Sequence, residues 1–230
     1  MQLPLLHFWR DEAFRSAAAN MALDEALFEW SAENRAAAAR FYHWDCPAAT
    51  VGYFHRGPLP NAAAVRRFTG GGLVEHGGDL TFVLAFPAGS GPALAIAADR
   101  YRWIHEALAL TLAATGFRVA LAPPAASPAH GPCFANPVTW DLLDPVSGGK
   151  IGGGAQRRSR GAVIHQGSLR LPASLRHPES EWIDAFLHAL ADTALPLSPE
   201  IQIRLLAEAP SREAARYGTE AWNRPSGAEN

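Results

Sequence analysis

Apolar positions along the chain recur with two periods, one typical of helices and one typical of strands. The first helical face is formed by Leu23, Leu27 and Trp30, at spacings of four and three residues. The longest helical pattern precedes Gly116, a residue that often follows a helix C-terminus. Helices are predicted at Phe14–Trp30, Ala93–Thr115, Glu181–Leu195 and Pro199–Ala207.

Short apolar runs bounded by Gly, Pro and Asp lie between these helices and predict strands. They are Arg40–Trp44, Thr50–Phe54, Val65–Phe68, Leu73–His76, Leu80–Phe86, Phe117–Leu121, Trp140–Leu143, Lys150–Gln156 and Ala162–Leu171. We expect the first two and the last two of these strands to form hairpins. Because strands and helices do not alternate regularly, the sequence predicts an α/β (α+β) protein with a mixed, mostly antiparallel sheet and packed helices.

The size and composition indicate a globular protein. A length of 230 residues favours one domain, residues 1–230, with a short helical C-terminal region at about 179–230. Apolar residues make up 48% and charged residues 18%, which excludes a disordered or coiled-coil chain. The net charge of −2 gives no reason to expect nucleic acid or an anionic membrane as partner.

Three further features concern the cellular setting. No apolar run approaches the ~18 residues of a membrane span. The first ten residues lack the basic region of a signal peptide. Two cysteines, Cys46 and Cys133, do not make a disulfide framework, so we expect a protein of the reducing cytoplasm.

Lys150 is the only lysine, because 19 of the 20 basic residues are arginine. Drift towards arginine codons explains the general bias. A lysine that survives such drift is expected to have a role that arginine cannot fill, since its compact ammonium fits a narrow site that a planar guanidinium does not.

Two glycine-rich segments carry positive charge. In Arg66–Gly72, three glycines allow backbone N–H groups to approach a ligand, and two arginines suit an anion. The alternative is a glycine-rich bulge with exposed arginines. In Gly148–Arg158, five glycines surround Lys150. A flexible loop is the alternative here, but the sole lysine favours a close-approach site for a carbonyl or phosphate oxygen.

His76, His165 and Cys133 are the other reactive candidates. A lone histidine in a strand is commonly a core residue, and a free cysteine is commonly buried. A nucleophilic cysteine needs a nearby cation or a helix N-terminus to lower its pKa. No spacing of His, Cys, Asp and Glu matches a metal site, so we predict no bound metal.

Taken together, these segments resemble the biotin/lipoate A/B protein ligase superfamily over roughly Phe14–Leu171, with a weaker match at Tyr217–Trp222. The matching segments are Asn20–Leu27, Arg40–Tyr42 with Thr50–Phe54, Arg66–Gly72, His76 through Thr81, Lys150–Gln156 and His165–Ser168. The resemblance implies the class II synthetase-like fold of that superfamily. It is closest to the cysteine-dependent octanoyltransferases and lipoate-protein ligase A.

The resemblance implies transfer of an octanoyl or lipoyl group to a lysine of a lipoyl domain. In the preferred version, Cys133 takes octanoyl from acyl carrier protein as a thioester, and Lys150 stabilises the charge on the acyl carbonyl. Cys133 and Phe134, followed by Asp141 and Leu142, resemble the cysteine-bearing segment of the transferases.

Two alternatives stay open. Gly72 stands where the transferases tend to carry arginine, which favours an ATP-dependent lipoate-protein ligase that forms lipoyl-AMP. The short C-terminal region favours a non-catalytic carrier-binding or acyl-binding homologue.

The resemblance also assigns site residues and partners. The catalytic residues are Cys133 and Lys150. The substrate-binding residues that it implies are Arg66, Arg67, Thr69, Gly70, Gly71, Gly72, His76, Asp141, Gly152, Gly153, Ala155 and His165. No bound cofactor is expected, with ATP and Mg required only by the ligase alternative. The expected partners are acyl carrier protein and the lipoyl domains of 2-oxoacid dehydrogenase complexes or glycine cleavage H protein, with neither nucleic acid nor membrane.

Overall fold

The computed structural model describes residues 1–45, 47–124, 133–177 and 181–224, with Cys133 described by its backbone alone. Cys46, which we expected in a hairpin turn, lies outside the described residues, as does most of the loop predicted at Ala122–Pro132.

The strands are β1 (Leu3–Arg15), β2 (Ala37–Trp44), β3 (Ala49–Val51), β4 (Ala64–Arg66), β5 (Val74–Glu75), β6 (Leu80–Phe86), β7 (Ala120–Leu121), β8 (Leu142–Leu143), β9 (Lys150–Ser159), β10 (Ala162–Leu169) and β11 (Ala191–Pro196). The helices are α1 (Ala17–Asn34), α2 (Gly91–Leu94), α3 (Ala97–Ala114), α4 (Ala173–Arg176), α5 (Glu181–Leu190), α6 (Pro199–Arg212) and α7 (Glu220–Asn223). A 3₁₀ turn covers Cys133–Ala135, and a π-helical turn covers Glu213–Tyr217.

Within the described residues, the strands form two sheets. The larger sheet has the order β11-β1-β2-β6-β10-β9-β8-β7, and the smaller one has the order β4-β3-β5. In the larger sheet β1 pairs in parallel with β2 and β11, and the other neighbours are antiparallel. The predicted mixed, mostly antiparallel sheet with packed helices is therefore confirmed. The prediction of a single domain over residues 1–230 stays a prediction.

Helices cover both faces of the larger sheet. Side chains of β6 alternate between two cores, with Phe82 and Leu84 in the core that holds α3 and α5, and Val83 in the core that holds α1 and α6. Because both faces are covered, β6 is apolar apart from Thr81, and its predicted bounds, Leu80–Phe86, are confirmed. In the part of the chain that the structure describes, no helix is both long and apolar enough to cross a membrane.

The hairpin predicted from Arg40–Trp44 and Thr50–Phe54 is wrong. Strand β2 lies between β1 and β6 in the larger sheet, whereas β3 belongs to the smaller sheet. The physical reason is burial on both faces, because Phe41 packs in one core and Tyr42 in the other. The hairpin predicted from Lys150–Gln156 and Ala162–Leu171 is confirmed, since β9 and β10 pair in antiparallel register.

All four helix predictions need new boundaries, and the simplest change is that the helix predicted at Pro199–Ala207 extends to Arg212 as α6. Helix α1 begins at Ala17 because the Ser16 hydroxyl accepts a hydrogen bond from the Ala19 N–H and caps it. The helix predicted at Ala93–Thr115 is divided into α2 and α3, and Arg100 donates to the carbonyl oxygens of Pro92 and Ala95 at the break. The helix predicted at Glu181–Leu195 ends at Leu190, and the chain continues as β11 beside β1.

Candidate active site

Lys150 begins β9 and points into the protein. Its Nζ lies 2.7 Å from Oδ2 of Asp141, and the two side chains are only 2% and 0% exposed. Gly153 leaves the space that the lysine occupies, since a Cβ at this position would lie 2.5 Å from Cε of Lys150. The sole lysine of the chain is thus a buried ammonium with a fixed counter-ion.

Asp141 is itself held by neighbouring donors. The hydroxyl of Tyr101 donates to Oδ1 at 2.5 Å, and the backbone N–H of Val138 donates to Oδ2 at 2.6 Å. The N–H of Gly154 donates to the Tyr101 hydroxyl at 2.9 Å. Tyr101 therefore connects α3 to the lysine site, a role that the sequence did not reveal because Tyr101 reads there as part of an apolar helix face.

Two buried histidines pack against Tyr101, with ring centroids 4.0 Å away for His105 and 5.6 Å away for His165. Burial lowers the pKa of both imidazoles, to about 4 for His105 and well below the ordinary value for His165. His165 stacks on Phe82 in the core shared with α3, on the opposite face of β10 from Gln166. We find His165 outside the cavity described below, so its role in substrate binding stays a prediction.

His76 forms a second polar cluster with Thr50 and Asp79. Its Nδ1 lies 2.7 Å from Oδ2 of Asp79, its Nε2 lies 2.9 Å from Oγ1 of Thr50, and its ring stacks on Trp44 at 3.8 Å. The Asp79 carboxylate accepts hydrogen bonds from His76, Thr81, Ser168 and the backbone of Gly77. Burial alone would raise the pKa of Asp79, but these donors outweigh it and hold the pKa well below its ordinary value.

A buried network links Thr69 to Arg40. The Thr69 hydroxyl donates to Oε1 of Gln166, and Nε2 of Gln166 donates to Oδ2 of Asp24 at 2.7 Å. Asp24 also accepts hydrogen bonds from Tyr42 and Arg40, both at 2.8 Å. Burial raises the pKa of Asp24 in spite of its contact with Arg40, and burial raises the pKa of Tyr42 well above its ordinary value. Thr69 does not line the cavity described below, but its hydroxyl holds Gln166, which does.

The two neighbouring arginines point in different directions. Arg66 donates to the backbone carbonyl oxygens of Tyr53, His55, Trp222 and Arg224. Arg67 donates to the carbonyl oxygen of Gly70 at 3.0 Å and to Oγ1 of Thr50 at 3.3 Å. Arg66 therefore ties the C-terminal segment to the smaller sheet, and its assignment to substrate binding stays a prediction. Arg67 faces the cavity.

The predicted glycines have distinct surroundings. Gly71 has a φ of +89°, and its carbonyl lies so close to Gly52 that a Cβ there would meet it at 1.9 Å. Gly70 provides the carbonyl that Arg67 holds, and Gly72 is half-buried beside it. Gly152 packs under Leu169, 2.5 Å from where its own Cβ would lie. Gly152 is thus a packing position.

Several of these groups line a cavity whose empty volume, open solvent included, is about 480 Å³. Its lining residues are Met21, Tyr42, Trp44, Thr50, Arg67, Gly71, Val74, His76, Thr81, Phe134, Lys150, Gly153, Gly154, Ala155, Gln166, Gly167 and Ser168. Of the predicted site residues, the cavity brings together Arg67, Gly71, His76, Lys150, Gly153 and Ala155. Among the described residues, we find no group of three or more His, Cys, Asp and Glu that could hold a metal.

Phe134 connects the predicted nucleophile to this cavity. Its ring lines the cavity, with Nζ of Lys150 5.7 Å from the ring centroid and the Arg170 guanidinium 3.7 Å from it. Cys133 precedes Phe134 in the same 3₁₀ turn, and its side chain lies outside the described atoms. The backbone of Cys133 therefore lies next to a residue of the cavity wall.

The sequence pattern of the lipoyl protein ligase A/B catalytic domain matches residues 16–193, most of the chain. The chain belongs to this family. Within it, octanoyltransferase LipM of Bacillus cereus is 33% identical over 190 residues, which cover 75% of this chain and 66% of that protein. LipM of Bacillus subtilis is 31% identical over 200 residues, which cover 78% of this chain and 70% of that protein. The chain thus spans about two thirds of the length of these relatives.

Solved structures show the same fold. A lipoate-protein ligase A bound with ATP aligns with a TM-score of 0.69 and 19% identity, over 97% of this chain and 98% of that one. The bipartite lipoate protein ligase of Thermoplasma acidophilum, described with its E2 lipoyl domain, aligns with a TM-score of 0.64 and 20% identity, over 97% and 96%. The expected ligase fold is therefore confirmed.

Proposed function

We propose that this member of the lipoyl protein ligase A/B family transfers an octanoyl group from acyl carrier protein, through a thioester on Cys133, to a lysine of a lipoyl domain. The observation that carries the proposal is the buried Lys150 ammonium beside Phe134, the residue after Cys133. The LipM relatives, which are named octanoyltransferases, support it.

The lining of the cavity suits the chemistry of an acyl chain with one polar end. Met21, Trp44 and Val74 offer apolar walls, and Lys150 offers a positive charge at one side. A charge held in place before the reaction stabilises the oxyanion that forms on an acyl carbonyl, because no solvent has to reorganise. The ion pair with Asp141 keeps the ammonium fixed for that purpose.

The first half of the reaction charges the enzyme. The Cys133 thiolate attacks the carbonyl carbon of the carrier thioester, a new C–S bond forms, and the carrier sulfur leaves and takes up a proton. A cation near a cysteine raises its thiolate fraction, which is the role we assign to Lys150. A cytoplasmic setting keeps the thiol reduced. In the second half, the amine of a lipoyl-domain lysine attacks the Cys133 thioester and releases the cysteine.

The ATP-dependent ligase remains the alternative, since a ligase bound with ATP has the same fold. In that alternative lipoate and ATP, with Mg, replace the carrier thioester, and Cys133 has no covalent role. Acceptor domains of 2-oxoacid dehydrogenase complexes or the glycine cleavage H protein fit both versions.

Intact-protein mass spectrometry after incubation with octanoyl-acyl carrier protein tests the proposal. We expect one octanoyl adduct that hydroxylamine removes. Cys133→Ser should form no such adduct, whereas Cys46→Ser, the matched control, should behave like the parent. Modification of a lipoyl domain by Cys133→Ser in the presence of ATP and lipoate would replace this proposal with the ligase.

A further inference from the structure

The second half of the proposed reaction needs a proton acceptor. A lipoyl-domain lysine arrives mainly as an ammonium at neutral pH, since the ordinary pKa of lysine is about 10.4. It must lose one proton before its nitrogen can attack a thioester. Lys150 is badly placed to accept that proton, because it is an ammonium already paired with Asp141.

Thr50, His76 and Asp79 form a chain of hydrogen bonds on the wall of the same cavity. The Arg67 guanidinium donates to Oγ1 of Thr50 at 3.3 Å, so the Thr50 hydroxyl proton is available for Nε2 of His76 at 2.9 Å. The other imidazole nitrogen, Nδ1, donates to the Asp79 carboxylate at 2.7 Å. In the tautomer with its proton on Nδ1, His76 presents Nε2 to the Thr50 hydroxyl as an acceptor.

Two neighbours of His76 hold its ring in place for this role. Asp79 is held as a carboxylate by its donors and stabilises an imidazolium, and Trp44 fixes the plane of the ring at 3.8 Å. His76 also lines a surface pocket with Arg170, so a proton has a route to solvent. The charged side chains around His76 and its partners are Arg67, Glu75, Asp79, Lys150, Arg170 and Arg176.

We propose that Thr50 and His76 form a proton relay that deprotonates the acceptor lysine, with Asp79 as a positioning residue. This inference rests on the proposed transfer through Cys133. The ammonium of the acceptor gives one proton to Oγ1 of Thr50 while the Thr50 hydroxyl proton passes to Nε2 of His76. The free amine attacks the thioester carbon, the C–S bond breaks, and the second nitrogen proton leaves with the Cys133 sulfur as a thiol. His76 then returns its proton to solvent.

The test separates charging from discharge. Enzyme charged with octanoyl-acyl carrier protein is isolated, and loss of the octanoyl adduct is followed by mass after addition of an E2 lipoyl domain. We expect Thr50→Val and His76→Gln to slow discharge to the lipoyl domain about 100-fold at neutral pH, within the range of general-base effects. Thr50→Ser keeps the hydroxyl and should stay within about tenfold of the parent.

Two readouts identify a proton-transfer defect. Discharge by hydroxylamine, a neutral nucleophile at pH 7, should be much less affected in the same charged samples. In the slow variants, discharge to the lipoyl domain should rise about tenfold per pH unit from pH 7 to 9, as free amine becomes available. The parent should show a flatter profile.

Equal losses in charging, hydroxylamine discharge and lysine discharge would show a structural role and overturn the relay, as would unchanged lysine discharge in His76→Gln. A parent protein that never becomes charged would overturn the proposed function itself, and the relay with it. Thermal melts of all variants show whether each is folded.

Discussion

The Cα of Gly153 faces the end of the Lys150 side chain so closely that a Cβ would lie 2.5 Å from Cε and 2.6 Å from Nζ. The same Cβ would lie 2.6 Å from Oδ1 of Asp141. Neither neighbour can easily move, because both are buried and paired with each other. The glycine at this position is therefore part of what fixes the ammonium.

Gly153→Ala is expected to displace Lys150 and reduce acyl transfer about 100-fold or more, since misplacement by about 1 Å has effects of that size. Pairing of Gly153 with Ser168 prevents the backbone from yielding. Gly91→Ala is the control, because a Cβ there meets nothing within 4 Å. Octanoyl transfer to a lipoyl domain is the measurement, and a normal rate in Gly153→Ala would contradict the assigned role of Lys150.

Lys150→Arg should also abolish transfer although the charge is kept. A planar guanidinium is wider than an ammonium and does not fit between Gly153 and Asp141. The reverse exchange on the surface, Arg204→Lys in α6, should leave activity and melting temperature unchanged, because Arg204 is half-exposed. Near-normal turnover of Lys150→Arg would remove Lys150 from the mechanism.

Asp141→Asn tests the ion pair through stability. The substitution leaves a buried ammonium without its counter-ion, and breaking such a pair by removing one partner costs about 3–5 kcal/mol. The free energy of unfolding, measured in urea, should fall accordingly. The double variant Asp141→Asn, Lys150→Met should recover much of that loss while remaining inactive. Additive losses in the double variant would show that the two side chains do not stabilise each other.

The sequence located Lys150 because a single lysine among arginines stands out, and it located β6 because burial on both faces requires a continuous apolar run. The sequence did not show that Arg66 and Arg67 have different surroundings. Adjacent residues in an extended chain point in opposite directions, and only the fold shows that Arg67 is the one that faces the cavity. Tyr101 was missed because one hydroxyl on an apolar helix face gives no signal of its partner, Asp141.

Strands β1 and β11 are absent from the sequence prediction. The N-terminal strand β1 carries apolar and charged residues without clean alternation, because it is paired on both sides but only partly covered. Strand β11 continues directly from α5, so its short sequence extends the helical pattern. Its pairing with β1, nearly 190 residues earlier, is long-range information.

Arg66→Ala should loosen the C-terminal segment. The Arg66 side chain donates to the carbonyl oxygens of Trp222 and Arg224, and the indole N–H of Trp222 donates back to the Arg66 carbonyl. We expect faster hydrogen exchange in α7, with little change in β6. Arg118→Ala, an exposed control, should change neither segment. Loss of octanoyl donor binding without faster exchange in α7 would instead support the predicted role of Arg66 in substrate binding.

The buried histidines should make stability depend on pH. Burial lowers the pKa of His105 to about 4 and holds that of His165 well below the ordinary histidine value of about 6.5. Below pH 6.5 the unfolded chain therefore binds more protons than the folded one. Each group therefore contributes stability that is fully present above pH 6.5 and is lost as the pH falls towards the folded pKa. The expected slope is roughly 1 kcal/mol per pH unit for each histidine.

Urea unfolding between pH 5 and 6.5 measures this slope above the range in which exposed carboxyl groups titrate. His165→Phe should reduce the slope whatever its effect on absolute stability, because the ring shape is kept beside Phe82 while the titrating nitrogens are removed. His188→Gln is the control, since His188 is exposed on α5. An unchanged slope in His165→Phe would show that His165 is protonated in the folded protein, and the apolar surroundings described for it would then be wrong.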